Sequence, residues 1–118
     1  MHPLSDPDTS PQRLSQCVVQ AGELLGLYRA EVARVLGVHC DDVSALYDGR
    51  WLLAPGSAAW RQAVLFVGFY NLLYRCMAGD GPRMVHWLRA DSAALGSSPF
   101  LLMVDAGRLH DVVALLEG

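Results

Sequence analysis

The sequence predicts an all-α fold of six to seven helices, and three observations lead to this prediction. Apolar residues recur at helical spacing between the turn signals, and no alternating strand pattern of useful length appears. Glycines, prolines and capping residues divide the chain into short segments. Apolar residues make up 53% of the 118 residues and charged residues 18%, so the chain can bury a core and is not a disordered protein.

The chain begins with a polar stretch, and the first helix follows it. We expect residues 1–10 to form a flexible arm, because they are polar and contain two prolines. Ser10-Pro11 supplies a helix cap followed by proline at the first helical position. Apolar side chains at helical spacing then continue until Gly26, where we expect this helix to end.

Two short helices are predicted next, separated by a tight turn. The first covers residues 29–36, and Gly37 breaks it. The second begins at Asp41 or Asp42 and runs to Tyr47. Two short helices joined by a turn that contains glycine have the spacing of a helix-turn-helix, and we assign residues 11–56 to this region.

Residues 57–79 are predicted to form a long apolar central helix, capped by Ser57 and ending near Ala78. Its only charges are Arg61 and Arg75, and apolar side chains decorate every side of it. Because a helix that is apolar all round must be buried all round, we expect it to pack against a second copy, giving a homodimer or a larger assembly. The residues predicted to make this contact are Phe66, Phe69, Tyr70 and Leu73.

The C-terminal part of the chain, residues 80–118, is predicted to be a small helical domain. A glycine- and proline-rich break at residues 79–82 precedes a short helix that contains Trp87 and Leu88. Residues 90–98 read as a loop, and Ser98-Pro99 starts another short helix. A turn with Gly107 then leads into a last helix, which ends at Glu117.

Two segments resemble one protein family in the family's own order. The segment beginning at Gly26 reads GLYRAEVARVLGV and resembles the first helix and turn of an Xre-type helix-turn-helix. The segment beginning at Trp87 reads WLRADSAALGSSPFLL and looks like the toxin-binding C-terminal domain of the Xre/MbcA/ParS antitoxins. The chain departs from that pattern at Ser92, where Asn is usual, and at Ser97, where a second Gly is usual.

The resemblance implies an antitoxin of a type II toxin–antitoxin pair. Such proteins bind and occlude the active site of a RES-type toxin that consumes NAD, and many of them repress their own operon. The resemblance implies the following toxin-binding residues: Trp87, Leu88, Arg89, Pro99, Leu101, Leu102, Gly107, Arg108, Glu117 and Gly118. Among them, we expect Glu117 and the carboxylate after it to reach into a NAD-binding cleft of the toxin.

The alternative function is a stand-alone Xre-type transcriptional regulator that binds DNA. Against it, the segment that matches a recognition helix contains Asp41 and Asp42 but no arginine or lysine, and carboxylates facing phosphate repel it. The sequence leaves open whether this region binds operator DNA or serves as a scaffold. The candidate DNA contacts are Arg29, Arg34, Ser44 and Arg50.

The absence of catalytic and cofactor-binding motifs argues against an enzyme and against a cofactor. No P-loop, GxGxxG or GxSxG motif is present, and the adjacent His110 and Asp111 would point about 100° apart on a helix. The three cysteines are too widely spaced to form a zinc motif. All nine basic residues are arginine and the net charge is −3, so the chain as a whole is not basic.

The sequence also predicts a cytoplasmic protein without a membrane segment. The first ten residues lack the basic and apolar regions of a signal peptide. The most apolar stretch, between Arg61 and Arg75, has thirteen uncharged residues and is too short to cross a bilayer.

Overall fold

The computed structural model describes residues 10–118, so the predicted arm lies outside the described residues except for Ser10. The described part of the chain contains seven helices and no strand, which confirms the all-α prediction. Only an isolated bridge joins Ser92 and Ser97 in the loop before α6. The helices are α1 (Pro11–Leu24), α2 (Arg29–Leu36), α3 (Cys40–Tyr47), α4 (Ala58–Cys76), α5 (Gly81–Arg89), α6 (Pro99–Val104) and α7 (Leu109–Glu117).

Serine caps begin three of these helices as the sequence predicts. The hydroxyl oxygens of Ser10, Ser57 and Ser98 each accept a hydrogen bond from the backbone N–H three residues later. Each serine thereby satisfies one of the N–H groups that a helix leaves without a partner in its first turn. Local side-chain chemistry therefore sets the start of α1, α4 and α6.

Three helix boundaries differ from the prediction. α1 ends at Leu24, two residues before Gly26, because Leu25 already forms its C-cap and Gly26 has a left-handed φ of 74°. α3 begins at Cys40, directly after the extended His39, rather than at Asp41 or Asp42. α4 ends at Cys76 because Ala78 adopts a φ of 52°, which a right-handed helix cannot include.

The core of the molecule lies where α4 packs against α1, α2 and α7. Phe66, Phe69, Tyr70 and Leu73 of α4 are all 0% exposed in the single chain. The prediction that these four side chains form a self-association surface is therefore wrong, because the single chain already buries them completely. Self-association itself stays a prediction.

The outward face of α4 is formed by other residues. Leu65 and Leu72 are half-buried there, and Gly68 is exposed between them. No described atom lies within 4 Å of the place that a Gly68 Cβ would occupy, so no helix of this chain approaches Gly68 closely.

One buried serine of α1 forms a hydrogen bond with the connection between α3 and α4. The Ser15 hydroxyl donates to the Pro11 carbonyl at 2.7 Å and accepts from the Leu53 backbone N–H at 3.3 Å. Ser15 is buried and the Leu53 side chain belongs to the core. This hydrogen bond joins residues that are 38 positions apart in the chain.

α1 is closely packed against α3 at Gly22. The Tyr47 hydroxyl lies 2.7 Å from the place that a Gly22 Cβ would occupy, which leaves no room for a side chain. The same hydroxyl is buried and has no hydrogen-bond partner in the described structure. Burial and the nearby Glu23 carboxylate raise the pKa of Tyr47, while the Arg29 guanidinium opposes them.

We expect Gly22→Ala to destabilise the fold by about 1–3 kcal/mol, because the new methyl group collides with the Tyr47 hydroxyl. Tyr47→Phe should be neutral or stabilising, because it removes a buried hydroxyl that has no partner. Combined with Tyr47→Phe, Gly22→Ala should cost less than it does alone. Urea unfolding measures the free energies, and Gly68→Ala is the control: in open space it should gain up to about 1 kcal/mol. Equal losses at Gly22 and Gly68 would contradict the proposed packing.

Candidate partner-binding surface

A shallow groove of about 530 Å³ lies along one face of α5. Trp87 forms one side of it and is half-buried. The ring of Trp87 packs against Phe69 of α4, with 6.4 Å between centroids and a tilt of 36°. One part of the indole is thus held by the core while another part faces the groove. The residues that line the groove are Met77, Pro82, Arg83, His86, Trp87 and Ala90.

The groove combines an apolar surface with positive charge. The Arg83 guanidinium pairs with no carboxylate among residues 10–118, although the Arg83 backbone N–H donates to the Asp80 carboxylate at 3.2 Å. His86 is exposed beside it. The groove therefore suits a partner that offers an apolar side chain next to a carboxylate.

Several of the predicted toxin-binding residues are part of the core instead. Leu88 is completely buried, and Pro99 and Leu102 are buried in α6. The prediction that these three residues bind a toxin is corrected: they are structural, because almost none of their surface is accessible to a partner. Leu101 differs from them, since 44% of it is exposed on α6. Gly107, with a φ of 65°, makes the turn before α7 as predicted.

Arg89 and Arg108 both have partners within the chain. The Arg89 guanidinium lies 3.8 Å from the centroid of the Phe100 ring and also donates to the Gly26 carbonyl at 3.4 Å. Arg89 thus connects α5, α6 and the turn after α1. Arg108 Nε donates to an Asp111 carboxylate oxygen at 2.6 Å in the first turn of α7.

The end of α7 remains open to solvent. Glu117 and Gly118 are exposed, and the helix is anchored by Leu109 and Val112, which are buried. His110 and Asp111 do not point apart as expected: His110 Nε2 lies 3.4 Å from Asp111 Oδ1. His110 is 70% exposed, so this pair lies on an open surface rather than in a cleft.

The three arginines predicted to contact DNA each lie within 4.0 Å of one carboxylate of the same chain. Asp48 lies 4.0 Å from Arg29 and 3.0 Å from Arg50. Arg34 pairs with Asp105 of the C-terminal region at 2.9 Å. Arg29 also lies over the Tyr47 ring, at 4.8 Å from its centroid. Because Arg29 and Arg50 share the single carboxylate of Asp48 and all these groups are about half exposed, the positive charge of the three arginines is only partly compensated within the chain.

The predicted recognition segment itself contains two carboxylates and no arginine or lysine. Ser44 is half-buried, Asp41 is exposed, and Asp42 is half-buried in the first turn of α3. Carboxylates at a helix N-terminus favour the helix itself, because they complement its dipole. The same placement repels a phosphate backbone, so this surface favours an uncharged or cationic partner over DNA.

Sequence reasoning found Trp87 but missed the rest of its groove. Arg83, Trp87 and Ala90 recur at the spacing of one helix face, and this signal was available in the sequence. Met77 and Pro82 come from the turn between α4 and α5, and only the fold brings them beside Trp87.

The described residues contain no group of three or more His, Cys, Asp or Glu side chains that could hold a metal ion. Of the cysteines, Cys17 is buried, and burial raises the pKa of its thiol, with Arg13 opposing the shift. Cys40 and Cys76 are exposed free thiols. Within residues 10–118, no helix combines the length and apolar character that crossing a bilayer requires.

No protein-family model matches the sequence, and no curated protein matches it either. The surface around Trp87 must therefore be interpreted from its own geometry and from the motifs in the chain.

Arg89→Leu should lower the stability of the fold by about 1 kcal/mol, because it removes a cation that lies on the Phe100 ring. Arg83→Leu is the matched control on the same helix and should leave the stability nearly unchanged, since its guanidinium has no such contact. Thermal unfolding followed by circular dichroism compares the two variants. A similar loss of stability for both variants would show that the contact of Arg89 with Phe100 does not stabilise the fold.

Proposed function

We propose that this chain is the antitoxin of a type II toxin–antitoxin pair, and that the Trp87 groove contacts a RES-type toxin that consumes NAD. One observation carries the proposal. A tryptophan held by the core lines an apolar groove, and the arginine beside it has no carboxylate partner within the described residues. Aromatic and arginine side chains in such a setting are the usual hot spots of protein interfaces.

The resemblance to the Xre/MbcA/ParS antitoxins supplies the identity of the partner. In this proposal residues 11–56 are a helix-turn-helix scaffold, α4 is the long central helix, and residues 80–118 are the toxin-binding domain. The left-handed Gly37 between the eight-residue helices α2 and α3 supports the first assignment. The nineteen residues of α4 and its buried side chains support the second.

The exposed end of α7 and Leu101 extend the proposed contact surface. Glu117 places a negative charge at the end of α7, where a cleft that binds the phosphates of NAD would accept it. Leu101 offers an exposed apolar side chain on α6. Together with the Trp87 groove, these groups give apolar anchors and charges of both signs, as expected at the core and rim of an interface.

A truncation after Val104 would be a poor test of this proposal. It would remove Leu109 and Val112, which are core residues, so loss of protection would also follow from unfolding. Single substitutions on the surface separate binding from folding.

Arg83→Glu should weaken inhibition of the cognate toxin at least tenfold, because it reverses the charge beside Trp87. Arg75→Glu is the matched control. Arg75 is also exposed and pairs with no carboxylate among the described residues, but it lies on α4 outside the groove. NAD consumption by the purified toxin, titrated with each variant, gives the inhibition constants, and growth during co-expression checks them in cells. Equal inhibition by both variants would exclude the groove as the contact.

The alternative, a stand-alone DNA-binding regulator, predicts a different response. We expect the wild-type chain to bind duplex DNA weakly, because Asp41 and Asp42 face the surface that would meet phosphate. Asp41→Asn combined with Asp42→Asn should strengthen non-specific binding, and the binding should fall steeply with salt. Fluorescence anisotropy at low and physiological salt measures both effects. Nanomolar binding of the wild-type protein to its own promoter would favour the regulator.

A further inference from the structure

The turn between α4 and α5, residues 77–80, contains a strained residue, Ala78. Its φ of 52° lies in the left-handed region, where the β-carbon of an L-residue crowds the following carbonyl oxygen. Among residues 10–118, Ala78 is the only residue other than glycine with a positive φ, and the seven other positions of this kind are all glycines. The chain thus places alanine where glycine would carry no strain.

This turn supplies one side of the Trp87 groove. Met77 directly precedes Ala78, and Pro82 and Arg83 follow it in the first turn of α5; all three line the groove. Ala78 itself is exposed, so packing of its methyl group does little to offset the strain. The strain is therefore stored beside the residues that a partner would touch, and strained backbone concentrates at ligand clamps and switch regions.

The other side of the groove is held by the core. Leu88 is completely buried, and the Trp87 ring packs against Phe69 of α4. At the end of α5, the Arg89 guanidinium lies on the Phe100 ring. The two ends of α5 therefore differ, because the end that carries Trp87 and Arg89 is fixed by packing, whereas the other end begins at a strained turn.

Two backbone hydrogen bonds hold this turn closed. The Gly79 N–H donates to the Tyr74 carbonyl at 2.9 Å, and the Asp80 N–H donates to the Met77 carbonyl at 3.0 Å. The Tyr74 ring also lies against Gly79, with its hydroxyl 3.0 Å from the place that a Cβ would occupy. Opening the turn breaks these contacts but lets Ala78 relax, so the strain lowers the free energy that opening requires.

We infer that the α4–α5 turn is a strained hinge, which lets Met77, Pro82 and Arg83 adjust to a partner while Trp87 stays in place. A partner that binds the open form pays the free energy of opening, and the strain at Ala78 makes this cost smaller. The hinge is a property of the free chain. Its use in toxin inhibition rests on the function proposed above.

Hydrogen exchange of the free full-length chain tests the hinge. In Ala78→Gly, the protection factors of the Gly79 and Asp80 amides should rise about three- to tenfold, because glycine takes the left-handed φ without strain. In wild type, both amides should be less protected than the amide of Leu73 in the core part of α4, which indicates local opening. Unchanged protection in the variant, or wild-type protection equal to that of Leu73, would overturn the hinge.

Ala114→Gly is the matched control for this substitution. Ala114 is also exposed, but it lies within the right-handed α7. Glycine should destabilise the chain there, because it weakens a helix interior. Urea unfolding should therefore give changes of opposite sign for the two alanines. A loss of stability at both positions would show that Ala78 is not strained.

Inhibition of the cognate toxin tests the use of the hinge. Ala78→Gly should inhibit about three- to tenfold more weakly than wild type although its fold is more stable, because opening its turn costs more. A chain with D-alanine at position 78, prepared by ligation at Cys76, takes a positive φ without strain and without the added flexibility of glycine. It should inhibit as weakly as Ala78→Gly.

Each other outcome has a distinct meaning. Wild-type inhibition by the D-alanine chain would attribute the loss in Ala78→Gly to flexibility and would overturn the use of strain. Wild-type inhibition by both chains would overturn it as well, provided that Arg83→Glu inhibits weakly. If Arg83→Glu also inhibits as wild type does, the proposed toxin contact fails, and the exchange measurements alone decide whether the hinge exists.

Discussion

Burial of one side of α4 is the constraint on which the rest of this structure depends. Phe66, Phe69, Tyr70 and Leu73 are completely buried where α4 packs, mainly against α1, α2 and α7. Fully burying side chains of this size contributes about 1.5–3 kcal/mol each, more than any surface ion pair in the molecule. The positions of α1, α2 and α7 follow from the need to cover this side.

The Trp87 groove depends on the same burial. Because the indole packs against Phe69, its position in the groove is determined by α4 as well as by α5 itself. Binding to such a preorganised ring costs less conformational entropy than binding that must first order a mobile side chain. Arg89 supports this arrangement from the other end of α5, where it holds Phe100 and the Gly26 carbonyl together.

Local signals in the sequence predicted most of the fold. The caps Ser10, Ser57 and Ser98 and the turn at Gly37 depend on neighbouring residues alone, and each is where the sequence indicates. The side of α4 that faces the core was not predictable, because apolar residues surround this helix and carry no information about direction. The partner of Arg34 was equally hidden from sequence reasoning, because Asp105 lies 71 residues from Arg34 in the chain. Of the candidate binding surface, Trp87 was found from its sequence context, whereas the lining from the α4–α5 turn and the partners of Arg89 and Arg108 exist only in the folded chain.

The hydrogen bond from Leu53 to Ser15 should make the irregular segment between α3 and α4 exchange its amide protons unlike an ordinary connection. Segments outside helices usually exchange their amide protons with solvent quickly, since small local fluctuations expose them. The Leu53 N–H is buried and bonded to α1, so its proton can exchange only when α1 moves away from this segment. A single slowly exchanging amide in the middle of a connection would therefore report directly on the opening of α1, independently of the helical amides. Slow exchange at Leu53 would thus indicate that this segment opens together with the core.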